Sequence, residues 1–165
     1  MLNPTEELAH LRGTSGGDAP GLVETLHIDG SNAEEVLDRA RGLWESVLIG
    51  FDEGLKCDDP EWSSRLPRWF VDACSPQMSD EERERWLTHW RSLDRAGKAQ
   101  AEADLGWTMV DWLAAVDRDS RAWWWWATNA QAATLDVLVD GWPAPLASAE
   151  WMLLASGAST VQQES

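Results

Sequence analysis

One acidic stretch of the chain carries the residue types that could bind a metal or a cation. Residues 51–61 hold five carboxylates and a thiol: Asp52, Glu53, Cys57, Asp58, Asp59 and Glu61. Clustered carboxylates are typical Ca²⁺ ligands, but the spacing of an EF-hand loop, with its central glycine and terminal glutamate, is absent. We therefore expect no metal site here and interpret these acids as part of a binding surface.

The two cysteines do not form a metal-binding pattern either. Cys57 and Cys74 have no Cys-x-x-Cys spacing and no histidine beside them, which argues against zinc. They are interpreted as two ordinary thiols, or as one disulfide if the protein is exported.

Tryptophan is the second chemical feature, because the chain has 13 Trp, 2 Phe and no Tyr. Each Trp can bury about 150–250 Å², so by default this set supplies the core. In a strand, the run from Trp123 to Trp126 would point to both faces, and one alternate pair should be partly exposed unless both faces are covered. Exposed Trp are favoured anchors for a protein partner. The predicted binding surface comprises Trp62, Trp69, Trp107, Trp123, Trp124, Trp125, Trp126, Trp142, Asp52, Glu53, Asp58, Asp59 and Glu61.

Nothing in the sequence indicates catalysis. The GxSxG, P-loop, GxGxxG and HExxH motifs are all absent. His10, His27 and His89 are isolated from one another, and paired carboxylates are too frequent in this composition to single out an acid or a base. We expect no catalytic residue and no cofactor, and the sequence favours a binding protein over an enzyme.

The charge of the chain narrows the choice of partners. The formal net charge is −16, and 15 acids and 6 bases precede residue 78 while 14 acids and 7 bases follow it. This spread is typical of a solvated surface, and the functional alternative is attraction to a basic protein. It argues against direct binding to a nucleic-acid phosphate backbone, which depends on Lys and Arg.

Hydropathy predicts neither a membrane segment nor an exported protein. No apolar run approaches the roughly 18 residues that a spanning helix needs. The first ten residues include Glu6 and Glu7 and lack the apolar stretch of a signal peptide. We therefore expect no membrane partner and a cytoplasmic location.

The elements that must position these residues predict one α+β domain. Residues 1–20 contain a Gly-, Ser- and Pro-rich linker and are predicted to be a flexible arm. Residues 21–157 are predicted to form the domain, and residues 158–165 a frayed tail. Periodicity predicts strands over 22–29, 123–128 and 134–140 and a helix over 146–156. The order is β-α-several short helices-β-β-α, with a small sheet of about three strands packed with Trp-bearing helices.

Capping residues mark where the longer helices begin and end. Ser31 with Glu34, and Ser79 with Glu82, fit the capping box, in which a hydroxyl and a carboxylate three residues apart bond reciprocally to backbone N–H groups. Gly50 is predicted to end the first of these helices, because glycine readily adopts the backbone conformation found just after a helix.

The C-terminal part of the chain resembles a known group of sequences. The resemblance is carried by the segments Trp123–Trp126, Gly141–Leu146, Glu150–Leu154 and Gly157–Ala158. Over roughly residues 65–158, the chain is similar to uncharacterised small, acidic, Trp-rich proteins of actinobacteria. This resemblance implies a bacterial source and brings no activity with it.

Two classes of function remain compatible with the sequence. The first is a non-enzymatic protein-binding module, an immunity- or antitoxin-like inhibitor or a chaperone, which docks on a basic partner through acids and Trp anchors. The alternative is a small-ligand-binding protein or hydrolase, whose mark would be a concave pocket with several Trp and converging Asp, Glu or His. A domain whose charge serves only solubility is the third interpretation.

Overall fold

A computed structural model describes residues 1–164, which fold around one four-stranded sheet. Their elements are α1 (Pro4–Leu11), β1 (Leu22–Ile28), α2 (Ala33–Asp52), α3 (Trp62–Arg65), α4 (Arg68–Ala73), α5 (Asp80–Arg91), α6 (Arg95–Leu105), α7 (Met109–Val116), β2 (Trp123–Asn129), β3 (Thr134–Val139), α8 (Ala147–Ala155) and β4 (Val161–Gln163). The α+β prediction is confirmed, and the predicted number of strands is one too low because β4 was not foreseen.

All strand pairs in the sheet are antiparallel, in the order β2-β3-β1-β4. Leu26 of β1 lies opposite Leu135 of β3, and Trp124 of β2 lies opposite Leu138 of β3. Directly opposite residues share a face, so the alternation of apolar residues divides the sheet into two faces. The register shifts between Trp125 and Ala127, and the residue between them forms a bulge in β2.

The main core lies between one face of the sheet and the helices, with α2 at its centre. Val36, Ala40, Leu43 and Val47 repeat at helical spacing, and all four are fully buried. Aromatic rings fill the space beside them: the ring centroids of Trp44 and Trp123 are 4.5 Å apart, and those of Phe70 and Trp112 are 4.8 Å apart.

The second face of the sheet is covered by the N-terminal segment. Trp124 and Leu138 pack there with Leu2 and Ala19 as a smaller apolar cluster. The structure thus differs from the predicted flexible arm over residues 4–11, which form α1. The Gly-rich residues that follow suggested a linker, but α1 has its own capping box at Asn3, and its buried face is held by residues more than a hundred positions away.

Of the two capping boxes predicted from the sequence, one is confirmed and one is wrong. The Ser79–Glu82 capping box is confirmed, since the Ser79 side chain accepts from the Glu82 N–H and the Glu82 carboxylate accepts from the Ser79 N–H. The Ser31–Glu34 box is wrong: a short 3₁₀ turn over Gly30–Asn32 follows β1 and moves the N-cap to Asn32, which makes no side-chain capping bond.

The C-terminal residues also differ from the predicted frayed tail, because β4 pairs with the end of β1. Gln162 lies opposite His27, and one carboxylate oxygen of Asp29 accepts from the backbone N–H groups of Ser159 at 2.8 Å and Thr160 at 3.2 Å. These N–H groups, first that of Thr160 and then that of Ser159, lower the pKa of Asp29 because they stabilise its charged form.

We expect acid to loosen β4 through Asp29. A carboxyl group whose pKa is lowered on folding stabilises the fold above its ordinary pKa, and this contribution is lost as the pH falls through the folded value. The backbone amide resonances of Val161–Gln163 should therefore move toward unpaired positions as the pH drops below the ordinary value of 3.8. Asp29→Asn should produce much of this change at neutral pH, and the control Asp111→Asn should not. Unchanged β4 resonances in Asp29→Asn at neutral pH would refute the assignment.

Candidate functional site

The structure removes four tryptophans from the predicted binding surface. Trp62, Trp123, Trp124 and Trp125 are each at most 2% exposed. The expectation that one alternate pair of the run would be partly exposed is corrected as well, because helices cover one face of β2 and the N-terminal segment covers the other. Only Trp126, at the bulge, is half-buried; its ring lies 3.8 Å from that of His10.

Four of the six fully buried tryptophans donate their indole N–H groups to acceptors inside the protein. The donor and acceptor pairs are Trp44 to the Glu7 carboxylate at 3.0 Å, Trp62 to the Lys56 carbonyl at 2.7 Å, Trp112 to the Ser148 carbonyl at 3.0 Å and Trp123 to the Ser148 hydroxyl at 2.9 Å. A buried Trp without such a partner would be costly, so these bonds explain how the core tolerates so many of them.

The predicted acidic residues form a turn that is largely bonded to itself. Asp52, Glu53, Asp58 and Glu61 are exposed and Asp59 is half-buried. Arg65 pairs with Glu53 and with Glu61, and the hydrogen bond to Glu53 raises the pKa of Arg65. Within residues 1–164, no three His, Cys, Asp or Glu side chains converge where they could hold a metal ion. These acids therefore add charge to the surface without forming a centre of their own.

The four remaining predicted tryptophans differ strongly in exposure. Trp69 and Trp107 are half-buried and pack against the main core, whereas Trp142 is 76% exposed. Trp142 follows the end of β3 by three residues. It is thus the one predicted anchor with most of its indole available to a partner.

Two further exposed apolar residues lie at the same end of the sheet as Trp142. Leu22 is 55% exposed and pairs with Val139, the last residue of β3, while Val23 is 40% exposed and pairs with Leu138. Leu22 shares a face with Val139 and Val23 shares the other face with Leu138, so their side chains point to opposite faces of this end of the sheet. We call Leu22, Val23 and Trp142 the sheet-end patch, because all three lie at this end of the sheet. The segments 21–24 and 139–145 that carry it contain Glu24 and Asp140 and no Lys or Arg. Neither Leu22 nor Val23 was part of the predicted binding surface, because alternation predicts a strand but not which of its ends is exposed.

A buried ion pair that the sequence did not predict joins α1 to the sheet. Arg121 donates to Glu7 through Nη1 at 2.9 Å and through Nη2 at 2.5 Å, and the same carboxylate accepts from the backbone N–H of Trp125 at 2.9 Å. The guanidinium lies over the rings of Trp44 and Trp124. Both charges are enclosed, so the pair holds the second face of the sheet closed rather than offering a reactive group.

A cleft between α5 and α6 lies outside the predicted surface. We call it the α5–α6 cleft; its volume is about 660 Å³, and Met78, Glu82, Trp86, His89, Asp104 and Leu105 are among its lining residues. Neither helix has a fully buried residue. Only one Trp lines the cleft, with Trp90 stacked beside it at 6.4 Å between ring centroids, so it meets the expected mark of a Trp-lined pocket in part.

The cysteines show no sign of nucleophilic activation. Cys57 and Cys74 are both free thiols. Burial raises the pKa of Cys74 to about 11, so very little of this thiol is thiolate at neutral pH.

No match was found among protein-family models, among curated proteins or among solved structures. Among the helices of residues 1–164, none has the length and apolar character to cross a bilayer.

Proposed function

We propose that this chain is an acidic protein-binding module that docks on a basic partner through the sheet-end patch. The observation that carries the proposal is the exposure of Trp142, which stands out of a fold that fully buries six of its other tryptophans. Exposed Trp side chains dominate many interfaces, because they remove a large apolar area from water at little cost in conformational entropy.

Exposed apolar residues and negatively charged residues occur together in the segments that carry the sheet-end patch. Leu22 and Val23 add exposed aliphatic surface at the end of the sheet that Trp142 follows. Glu24 and Asp140 lie in the same segments, which contain no base, and the whole chain carries a net charge of −16. Such a field speeds encounter with a basic protein and disfavours acidic partners. An immunity-type inhibitor, an antitoxin-like protein or a chaperone for a basic protein would have this combination.

The proposal is tested by site-specific crosslinking in cells of the native host. A photoreactive residue at position 22 should capture a basic protein, and the same residue at Gln131, an exposed position in the β2–β3 turn, should not. The captured protein is then purified and its affinity for the full chain is measured. Trp142→Ala should weaken binding by roughly thirtyfold or more, the loss expected of an interface hot spot.

The matched control is Trp69→Phe, which alters a half-buried tryptophan that packs against the main core and keeps an aromatic ring. Trp69→Phe should leave the affinity for the captured protein within about twofold. Rising salt should slow association of that protein with the wild type and with Trp69→Phe alike. Unchanged affinity in Trp142→Ala, or equal crosslinking from positions 22 and 131, would overturn the proposal.

A further inference from the structure

We propose that the α5–α6 cleft binds a small organic cation of the ammonium type that carries an apolar group. This site is separate from the sheet-end patch and does not depend on the proposed protein partner.

The walls of the cleft are set by helical spacing. Glu82, Trp86 and His89 follow one another at four and three positions, which places them on one face of α5. Asp104 and Leu105 stand three and four positions after Ala101 on the facing side of α6. The cleft is therefore lined by one indole and two carboxylates, together with apolar side chains.

The same hairpin already holds a cation in this kind of setting. The Lys98 Nζ lies 4.6 Å from the centroid of the Trp90 ring, and the Trp90 indole N–H donates to a Glu102 oxygen at 3.2 Å. A cation over an indole face next to a carboxylate is attracted by both the ring quadrupole and the negative charge. One helical turn away, Trp86 lines the cleft together with Glu82 and Asp104.

No cation of the chain occupies the Trp86 position. The cation–π contacts made by residues 1–164 involve Trp90, Trp44 and Trp124. Arg83 and Arg85 also belong to α5, but they do not line the cleft. The Trp86 indole thus has two acids beside it in the cleft and no positive charge over its ring.

The carboxylates retain capacity for a ligand. Glu82 uses one oxygen for the Ser79 backbone N–H, and Asp104 uses one oxygen for the Gln100 side-chain amide at 2.8 Å. Each ionised carboxylate has a second oxygen and further lone pairs. These two charges would offset the positive charge of a ligand that lies over Trp86.

The rest of the lining selects the class of cation. Met78, Leu105 and Trp86 offer polarisable or apolar surface, which suits the methyl groups of an alkylammonium better than the tightly held water shell of a metal ion. The volume of about 660 Å³ lies within the range of small-molecule sites, roughly 300–1,000 Å³. A quaternary ammonium bearing one aromatic or aliphatic group therefore matches the cleft in charge, surface and size.

The test uses the full chain labelled with ¹⁵N and four probes. Benzyltrimethylammonium should bind most tightly and shift the resonances of cleft residues, including the Trp86 indole N–H. Tetramethylammonium, which lacks the apolar group, should bind more weakly. Choline should bind at least about fivefold more tightly than 3,3-dimethylbutanol, which has the same shape without the charge.

Variants distinguish the cleft from nonspecific attraction to an acidic chain. Trp86→Leu should weaken benzyltrimethylammonium binding by roughly three- to fivefold, the loss expected for a cation–π contact that stays open to water. Asp104→Asn keeps the indole and the shape of the side chain, and it should weaken binding by a few-fold. Asp72→Asn removes one charge from α4 and should have no effect.

Three outcomes would overturn the inference. They are equal affinity for choline and 3,3-dimethylbutanol, shifts centred on Trp142 rather than Trp86, and tighter binding of a Lys-rich peptide than of any small cation when both are followed at the Trp86 indole resonance. The last would assign the cleft to a protein partner. Because the crosslinking experiment probes position 22, either proposal can fail while the other stands.

Discussion

Replacing Glu7 with alanine is expected to lower the free energy of unfolding by about 3–5 kcal/mol, the usual loss when one member of a buried ion pair is removed. The variant leaves the Arg121 guanidinium without its counter-charge in a site that excludes water. It also removes the acceptor of the Trp44 indole N–H and of the Trp125 backbone N–H. Urea unfolding followed by circular dichroism measures the change.

Two comparisons show whether burial causes this loss. Asp72→Ala breaks the exposed pair between Arg68 and Asp72, and it should cost less than about 1 kcal/mol. Glu7→Met combined with Arg121→Met removes both charges and should recover part of the loss, since no buried charge remains. The recovery should be partial, because the two N–H groups still lack their acceptor.

Glu7→Gln is the milder variant of the same ion pair. If Glu7→Ala does not fold at 25 °C, Glu7→Gln serves in its place, because the amide keeps the shape and one acceptor oxygen. The Gln variant should lie between the wild type and Glu7→Ala in stability. Stability equal to the wild type in both variants would show that the pair does not hold α1 against the sheet.

Gly50→Ala should destabilise the protein by about 1–3 kcal/mol, the range found for overpacked cores. A Cβ at this position would lie 2.4 Å from Cη2 and 2.6 Å from Cζ3 of Trp62. The indole cannot easily move away, since it is fully buried and its N–H is bonded to the Lys56 carbonyl. Gly50 was predicted to end α2, but the helix continues to Asp52. The absence of a side chain at Gly50 lets the Trp62 ring approach the backbone of α2 closely.

Gly42→Ala is the matched control, because it makes the same change in the same helix. A Cβ at Gly42 meets no atom within 4 Å. It should therefore stabilise the protein by about 0.5–1 kcal/mol through helix propensity alone. Thermal and urea unfolding should thus give shifts of opposite sign for the two glycines. Stabilisation by Gly50→Ala would contradict the packing described for Trp62.

Predictions from local sequence patterns were correct where the interactions that stabilise an element lie within the same short segment. Alternation predicted β1 and β3, which the structure places at Leu22–Ile28 and Thr134–Val139. The Ser79 capping box was found because both of its bonds close within four residues. The Ser31 box failed because the path of the chain out of β1, a long-range property, decides which residue becomes the N-cap.

The candidate surface was predicted less well, because exposure is not a local property. One alternate pair of the run from Trp123 to Trp126 was expected to be partly exposed. Trp123, Trp124 and Trp125 are buried instead, because Leu2 and Ala19 cover the second face of the sheet. Trp142 was in the predicted surface and is exposed. The spacing of Glu82, Trp86 and His89 indicates one wall of the α5–α6 cleft in the sequence. The second wall is formed by α6, and local spacing does not show that α6 packs there.

The amino-acid order alone established the α+β class, the main strands and the spread of 29 acids along the chain, because composition and short-range periodicity contain these properties. Three features depended on tertiary structure: the burial of the Trp run, the role of Gly50 and the pairing of Glu7 with Arg121. In each case the partner lies at least 12 positions away in the chain. Burial depends on which distant segments of the chain pack against each other, and a local sequence pattern does not determine that packing.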